Sequence, residues 1–313
     1  MKATGHNTGV ASVDNVTEKI LALKEMRRAV ILAHNYQRGE VQDIADFVGD
    51  SLGLSQQAAK TDSEVIIFCG VHFMAETAAM LSPDKIVLLP DRNAGCPMAD
   101  MINAEQLREE KKKHPGSLVV CYVNTTAEVK AECDVCCTSS NALKVVECLE
   151  GERPIIFIPD QYLGAYTAAK TNKKLIMWPG YCPTHMKIGA DDIIDLKKEH
   201  PLAEVLVHPE CRPEVIAQAD YALSTDGIIK RVRQSASQEF IIGTELGIIH
   251  RLKKENPEKI FIPASRQAVC PNMKSITLEK VLWALERMEH QITVSPEIRE
   301  KAVKAVDLML GIV

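Results

Sequence analysis

Three times along the chain a short apolar run ends in polar residues. "AVILAHNY" ends with His34 and Tyr36, "LVVCYVN" with Tyr122 and Asn124, and "EVLVHPE" with His208 and Glu210. Equivalent positions stand 88 and then 86 residues apart. Self-similarity at a fixed period allows few architectures, because each copy must be one structural unit packed on its neighbours. A Cys-Pro pair keeps nearly the same period: Cys96, Cys182 and Cys270 are 86 and 88 residues apart, and each is followed by proline.

More strands are expected inside each copy. "EVIIFCGV", "CDVCCTSS" and "DYALSTDG" read as the second, and "KIVLLPD", "PIIFIPD" and "EFIIGTE" as the third. Copies two and three add a fourth, "KKLIMWPG" and "EKIFIPAS". Such short continuous runs suit strands buried on both faces of a parallel sheet. "GEVQDIADFVGDSLGLSQQAAKT" and "SITLEKVLWALERMEHQI" space their apolar residues by three and four, as helices do. The expected fold is α/β: three pseudo-threefold-related three-layer αβα domains with parallel sheets around a central active site. Residues 1–24 form a lead-in and first helix, 25–110, 111–195 and 196–290 the three domains, and 291–313 a C-terminal helix packed outside them. Ligands of open α/β sheets bind beyond the carboxyl ends of the strands. A quasi-threefold arrangement points the three polar strand ends, and one cysteine per copy, at one cavity.

Composition narrows the function. A net charge of −5 speaks against a basic nucleic-acid surface. No apolar stretch approaches the roughly 20 residues of a membrane span. The start, "MKATGHNTGVASVDN", lacks the basic-then-apolar pattern of a secretion signal and reads as a flexible lead-in. The chain therefore reads as cytoplasmic, where ten cysteines would not be a disulfide framework.

A single cysteine is most often a small buried hydrophobe. With ten cysteines and fifteen prolines in 313 residues, chance gives about half a Cys-Pro pair, not three at even spacing. Three thiolates would make most of a zinc site, with His185 a candidate fourth ligand. They also suit a [4Fe–4S] cluster with one iron left open, able to act as a Lewis acid. "ECDVCCTSS" holds a C-x-x-C-C run at Cys133, Cys136 and Cys137. It lies in an expected strand, where adjacent side chains face opposite ways, so it reads as a decoy. Cys69, Cys121, Cys148 and Cys211 read as core or near-surface thiols.

Together these stretches resemble the quinolinate synthase family, iron–sulfur enzymes of de novo NAD synthesis. The resemblance runs from "ILAHNYQ" to "CPNMKSITLEKV" through "AHNYQRGEVQDIADFVGDSLGLS", "VHFMAETA", "NAGCPMADM", "CYVNTTAEVKAE", "CTSSNA", "FIPDQYLG", "PGYCPTH", "VHPEC", "STDGI" and "GTELG". It implies a [4Fe–4S] cluster on Cys96, Cys182 and Cys270, and condensation of iminoaspartate with dihydroxyacetone phosphate to quinolinate, releasing phosphate and two waters. A functional link to an L-aspartate oxidase or dehydrogenase that supplies iminoaspartate is implied as well. By resemblance, His34, Tyr122, Val123 and Asn124 bind the dicarboxylate, Ser51, Ser139 and Thr225 contact substrate, and His208, Pro209 and Glu210 line the same cavity. Taken alone, each of those Ser or Thr residues would read as a helix cap. Tyr36 and Glu210, assisted by His208, are expected to carry the proton transfers. His185 is expected only to orient the Cys182 loop. The chain departs from some relatives in lacking a C-terminal C-x-x-C-x-x-C motif, so no such redox switch is expected. The alternatives are another three-cysteine [4Fe–4S] hydro-lyase, or a non-enzymatic iron–sulfur sensor. A sensor usually clusters its cysteines and needs no converging His, Tyr, Asn and Glu. The C-x-x-x-C-x-x-C of a radical enzyme is absent.

Overall fold

The computed structural model describes residues 13–312, so most of the expected lead-in lies outside the described residues. Three four-stranded sheets, parallel throughout, carry the chain. The first is built from β1 (Ala29–His34), β2 (Phe47–Gly49), β3 (Val65–Cys69) and β4 (Ile86–Leu88), in the order β2-β1-β3-β4. The second holds β5 (Leu118–Tyr122), β6 (Val135–Cys137), β7 (Ile155–Ile158) and β8 (Leu175–Met177) in the order β6-β5-β7-β8. The third holds β9 (Glu204–Val207), β10 (Tyr221–Ala222), β11 (Glu239–Gly243) and β12 (Ile260–Pro263) in the order β10-β9-β11-β12. All five residues of β3 and all four of β7 are buried, as strands covered on both faces by helices require. No helix among the described residues is long and apolar enough to cross a membrane.

The first sheet corrects one expectation. "FVG", expected inside a long helix, is the short strand β2, and it makes the first sheet four-stranded like the others. The apolar spacing hides the break, but two aspartates enforce it. Asp50 caps a new helix, Ser51–Lys60, by accepting the Gly53 N–H at 2.8 Å. Asp46 clasps β1: Oδ2 accepts the Ile31 N–H at 2.8 Å while the Asp46 N–H reaches the Ile31 carbonyl at 2.9 Å. The clasp recurs in each unit. Asp134 accepts the Val119 N–H at 2.7 Å, and Asp220 accepts that of Val205 at 2.7 Å.

A lysine also repeats with the period. Lys85, Lys173 and Lys259 each turn Nζ onto carbonyls at the end of a helix in their own unit. These carbonyls have no intrahelical donor, and a cation there also meets the negative end of the helix dipole.

The helices that follow the Cys-Pro segments do not stay with the sheet before them. Ala104–Lys113 leans on the second unit, where Arg108 meets Glu132 at 2.8 Å, and Ala190–Glu199 joins the third unit's core through Ile193. Leu278–Arg287 returns to the first sheet and packs beside the Val13–Met26 helix. The last helix, Pro296–Gly311, lies against the first and second units, where Asn141 donates to the carbonyls of Met309 and Ile312 at 3.2 and 2.8 Å. One apolar cluster runs through the first and second units, whereas the third has its own on the two faces of its sheet.

Lys259→Met removes a helix-end cation that donates to Val232 and Ser235 carbonyls at 2.6 and 2.9 Å. It is expected to lower unfolding stability by about 1–2 kcal/mol. The exposed Lys253→Met control should stay within about 0.5 kcal/mol, both read by urea unfolding.

Candidate active site

The carboxyl ends of β1, β5 and β9 converge on one cavity. It encloses about 690 Å³ not occupied by protein atoms, part of it continuous with solvent. Its wall is assembled from equivalent positions. His34, Tyr122 and His208 form one ring, Tyr36, Asn124 and Glu210 a second, Ser51, Ser139 and Thr225 a third, and Cys96, Cys182 and Cys270 a fourth. Parallel strands that enter each unit the same way must deliver equivalent residues to the same end. Val123 and Pro209, both buried, do not contribute to the wall.

His34 and His208 are set alike. The Tyr36 N–H donates to His34 Nδ1 at 3.1 Å, and the Glu210 N–H to His208 Nδ1 at 3.3 Å. With Nδ1 accepting, Nε2 keeps the proton in each neutral ring, and His208 Nε2 lies 3.1 Å from Ser139 Oγ. Burial, and for His34 also the neighbouring His208, lowers both rings to about 3, so they are neutral at physiological pH.

Glu210 is 3% exposed and holds the centre. Tyr122 donates its hydroxyl to Oε1 at 2.5 Å, and His185 Nδ1 lies 2.7 Å from Oε2. Burial alone would raise this carboxyl, but His185, His208 and the Tyr122 hydroxyl hold it below the usual carboxylate range. It is therefore ionised. Further contacts lead from His185 to the first unit. Tyr36 OH stands 2.6 Å from Thr244 Oγ1, and Thr244 Oγ1 stands 2.8 Å from His185 Nε2. His185 Nδ1 approaches Glu210 Oε2 without hydrogen-bond geometry, and on its other side the Thr244 hydroxyl stands between His185 Nε2 and the Tyr36 hydroxyl. Five side chains from all three units form this chain: Tyr36, Thr244, His185, Glu210 and Tyr122. Burial and then the Glu210 charge push both tyrosine hydroxyls well above their ordinary range, so both remain donors.

Sequence reasoning assigned His185 only a supporting part and overlooked Thr244. His185 is 1% exposed, stacks on His208 with ring centroids 4.7 Å apart, and is the middle link of the chain. Thr244 and Glu245 follow β11 within "GTELG", and that strand-end position was the available signal. Lys274 was also missed. Its Nζ meets Glu245 at 3.0 Å and donates to the Tyr36 carbonyl, tying the third unit to the first. Gly247 permits this approach, since a Cβ there would come within 2.6 Å of Nζ and 2.7 Å of the Tyr36 carbonyl.

The Cys-Pro cysteines share a local design. Each precedes a single helical turn: Ala99–Met101, His185–Lys187 or Met273–Ser275. Backbone N–H groups point at the sulfurs: those of Ala99 and Met98 at Cys96, of His185 at Cys182, and of Met273 and Asn272 at Cys270. Burial raises all three thiols, Cys96 to about 12. Such sulfurs need a metal to become thiolates, and the N–H donors are in place to hold them. Among the described residues, the trio of potential ligand atoms within 4.8 Å of one another is Cys182, His185 and Glu210. The three Cys-Pro sulfurs do not all lie within that distance of one another.

The hydroxyl ring sits where helices begin. Ser51 opens one helix beside its cap Asp50, and Thr225 opens another beside its cap Ser224. Ser140, next to Ser139, donates to Asp50 and lies 2.8 Å from Ser224 Oγ, so the three units meet here too. Helix N-termini favour an anion at this end of the cavity.

The family described as "Quinolinate synthetase A protein" matches residues 18–311. A quinolinate synthase of Dehalococcoides mccartyi CBDB1 is 60% identical over 298 residues, covering 95% of this chain and 98% of its own. One from Methanosarcina barkeri is 55% identical, covering 94% and 97%, and one from Thermodesulfovibrio yellowstonii 54%, covering 96% and 99%.

Asp50 gives this site a pH signature. Burial and then the Asp226 charge raise its carboxyl from 3.8 to about 6. The folded state thus favours the protonated form, and that stability is full below about pH 4 and lost as pH rises through about 6. Asp50→Asn keeps a capping side chain. It is expected to raise stability by about 3 kcal/mol at pH 8 and change it little at pH 4, read by thermal unfolding at both pH values.

Proposed function

The chain belongs to the quinolinate synthetase A family, and from that membership we propose that it condenses iminoaspartate with dihydroxyacetone phosphate to quinolinate, releasing phosphate and two waters. The observation that carries this reading is the supply of one Cys-Pro cysteine from each unit to the cavity that also collects the strand-end His, Tyr, Asn and Glu side chains. The donor set fits an iron–sulfur cluster: three partly buried cysteines, one from each unit, whose sulfurs are met by backbone N–H groups. We assign to Cys96, Cys182 and Cys270 a [4Fe–4S] cluster. When bound, it supplies one iron without a protein ligand, able to act as a Lewis acid.

The protein's own groups divide the remaining work. Neutral His34 and Asn124 offer donors to the dicarboxylate without a buried charge of their own, and Tyr122 lines the same wall with its hydroxyl held on Glu210. Val123 and Pro209 fix the spacing of the residues on either side of them. Ser51, Ser139 and Thr225 hold an anionic end of a substrate against the helix N-termini. Glu210, kept ionised by His185 and Tyr122, is the group able to take a proton from the triose or its adduct. Tyr36, whose hydroxyl stays protonated, is the group able to give a proton, and Thr244 with His185 holds it in place opposite Glu210. His208 accepts the Glu210 backbone N–H at Nδ1 and reaches Ser139 with Nε2. The expected setting is the cytoplasm, with iminoaspartate supplied by an L-aspartate oxidase or dehydrogenase.

A second reading rests on the Cys182, His185 and Glu210 trio, which would hold a single ion such as zinc. Metal analysis separates the two: about four irons with equal acid-labile sulfide per chain against one zinc. The brown absorption of anaerobically reconstituted protein should be lost in Cys182→Ser. With the cluster intact, Glu210→Gln and Tyr36→Phe are each expected to lower kcat about 100-fold or more in a quinolinate-forming assay. Full turnover in either variant would remove that residue from the proton path, and no quinolinate from wild-type protein with a sound cluster would defeat the reading.

A further inference from the structure

Asn35 directly follows His34 at the end of β1, and its side chain is fully buried between the first and third units. The two ends of its amide face opposite chemistries. Arg251 Nη1, which can only donate, lies 2.8 Å from Oδ1. On the other side Nδ2 lies 2.9 Å from Thr225 Oγ1 and 3.1 Å from the Asp226 carboxylate oxygen Oδ1. A guanidinium on one side and a carboxylate on the other fix the orientation. The amide oxygen must face Arg251, and both N–H bonds are spent on Thr225 and Asp226. Arg251 is itself anchored, donating to the Val48 carbonyl at 2.7 Å and to Glu255 at 2.8 Å.

This decides what the Thr225 hydroxyl can offer. Its oxygen accepts from Asn35, and among the described residues that is the hydrogen bond it makes. Its proton is left for the cavity, whose wall Thr225 helps to form. Ser139 is set the same way by a different donor, because His208 Nε2, which keeps the proton of its neutral ring, lies 3.1 Å from Ser139 Oγ. Two of the three hydroxyls in the ring thus accept from a buried N–H and present an O–H. Asp50, which lines the cavity beside Ser51, has its oxygens taken by the Gly53 N–H and the Ser140 hydroxyl. Such a wall suits a ligand oxygen that only accepts, as in a carboxylate or a phosphate.

We propose, resting on the assignment of Thr225 to substrate contact, that Asn35 is a positioning residue for the anion subsite. Oriented by Arg251, it occupies the Thr225 oxygen and so aims the Thr225 O–H at a carboxylate or phosphate group of a substrate. Asn35 belongs to the first unit, whereas Arg251 and Thr225 belong to the third. The aimed donor is therefore complete only when the third unit is docked on the first. A residue that merely tied the two units together would act on every ligand of the cavity alike, whereas Asn35 acts through one hydroxyl.

The test compares Asn35→Leu, Thr225→Val and the double variant in cluster-containing protein. Leucine is close to asparagine in size but cannot donate, and Arg251 keeps the Val48 carbonyl and Glu255. Each single substitution is expected to raise KM about tenfold for one substrate while kcat stays within about twofold. That substrate is iminoaspartate if the group held is a carboxylate, and dihydroxyacetone phosphate if it is a phosphate. The double variant should be no worse than Thr225→Val, because the amide acts through the hydroxyl. An unchanged KM in Asn35→Leu, an equal rise in both KM values, or a further loss in the double variant would each overturn the proposal. Calorimetric titration with inorganic phosphate and with malate reads the same donor without turnover. Wild-type protein should bind one of these anions about tenfold more tightly than Asn35→Leu does, even if it forms no quinolinate and the reading of the reaction fails. Binding of neither anion by the wild type, or equal binding by both proteins, would overturn the proposal. If Asn35→Leu does not fold, Asn35→Ala carries the same expectations without an apolar branch against Arg251 and Asp226.

Discussion

Everything at the centre of this molecule depends on keeping one carboxylate charged out of water. Glu210 is 3% exposed, and an anion so placed persists only if protein donors replace its lost hydration. Tyr122, which donates to it, and His185, whose Nδ1 lies 2.7 Å from it, come from the second unit, while Glu210 comes from the third. The chain extends to Tyr36 of the first unit through Thr244. A polar network of this kind is worth most when every member is satisfied and becomes a liability when one is missing. The three units must therefore dock in one relative position, and docking is itself the assembly of the site.

That dependence is sharpest for the third unit. The first and second share a continuous apolar core, but the third buries its own clusters and meets the others through polar contacts. Gln42 donates to the Gly247 carbonyl at 2.9 Å, Arg251 to Asn35 Oδ1 at 2.8 Å and the Val48 carbonyl at 2.7 Å, and Asn35 to Thr225 at 2.9 Å. Contacts of this kind specify an orientation while contributing modestly to stability.

The repeat made the fold class and the converging strand ends legible, because parallel strands in equivalent units can only present equivalent residues at one end. His34, Tyr122 and His208 could be read that way from spacing alone. What stayed hidden has two physical causes. β2 is three residues long and is bounded by side-chain clasps, which leave no periodicity to detect. His185 and Thr244 matter only through each other and Glu210, across separations of 59 and 25 residues. An imidazole three residues from a cysteine reads the same in sequence whether it braces a loop or packs against a buried carboxylate. The neighbourhood of Cys136 was hidden for a related reason: Cys121 belongs to another strand, and only sheet register brings it beside Cys136.

The Cys-Pro pairs show why the same dipeptide recurs. Proline after the cysteine has no N–H and holds its φ near −65°, which starts a helical turn immediately. The next N–H groups in the turn are then free of intrahelical partners and point back at the sulfur, as at any helix start. The residues two or three places after each cysteine make such contacts in all three units. Charge balance needs this arrangement. Thiolates set beside Glu210 and Glu245 in a buried cavity would repel one another, and the chain as a whole carries a net −5. Little side-chain cation reaches the sulfurs, so backbone dipoles and whatever metal they bind must offset that repulsion. A backbone donor cannot be lost by substitution, whereas the cysteine that uses it can.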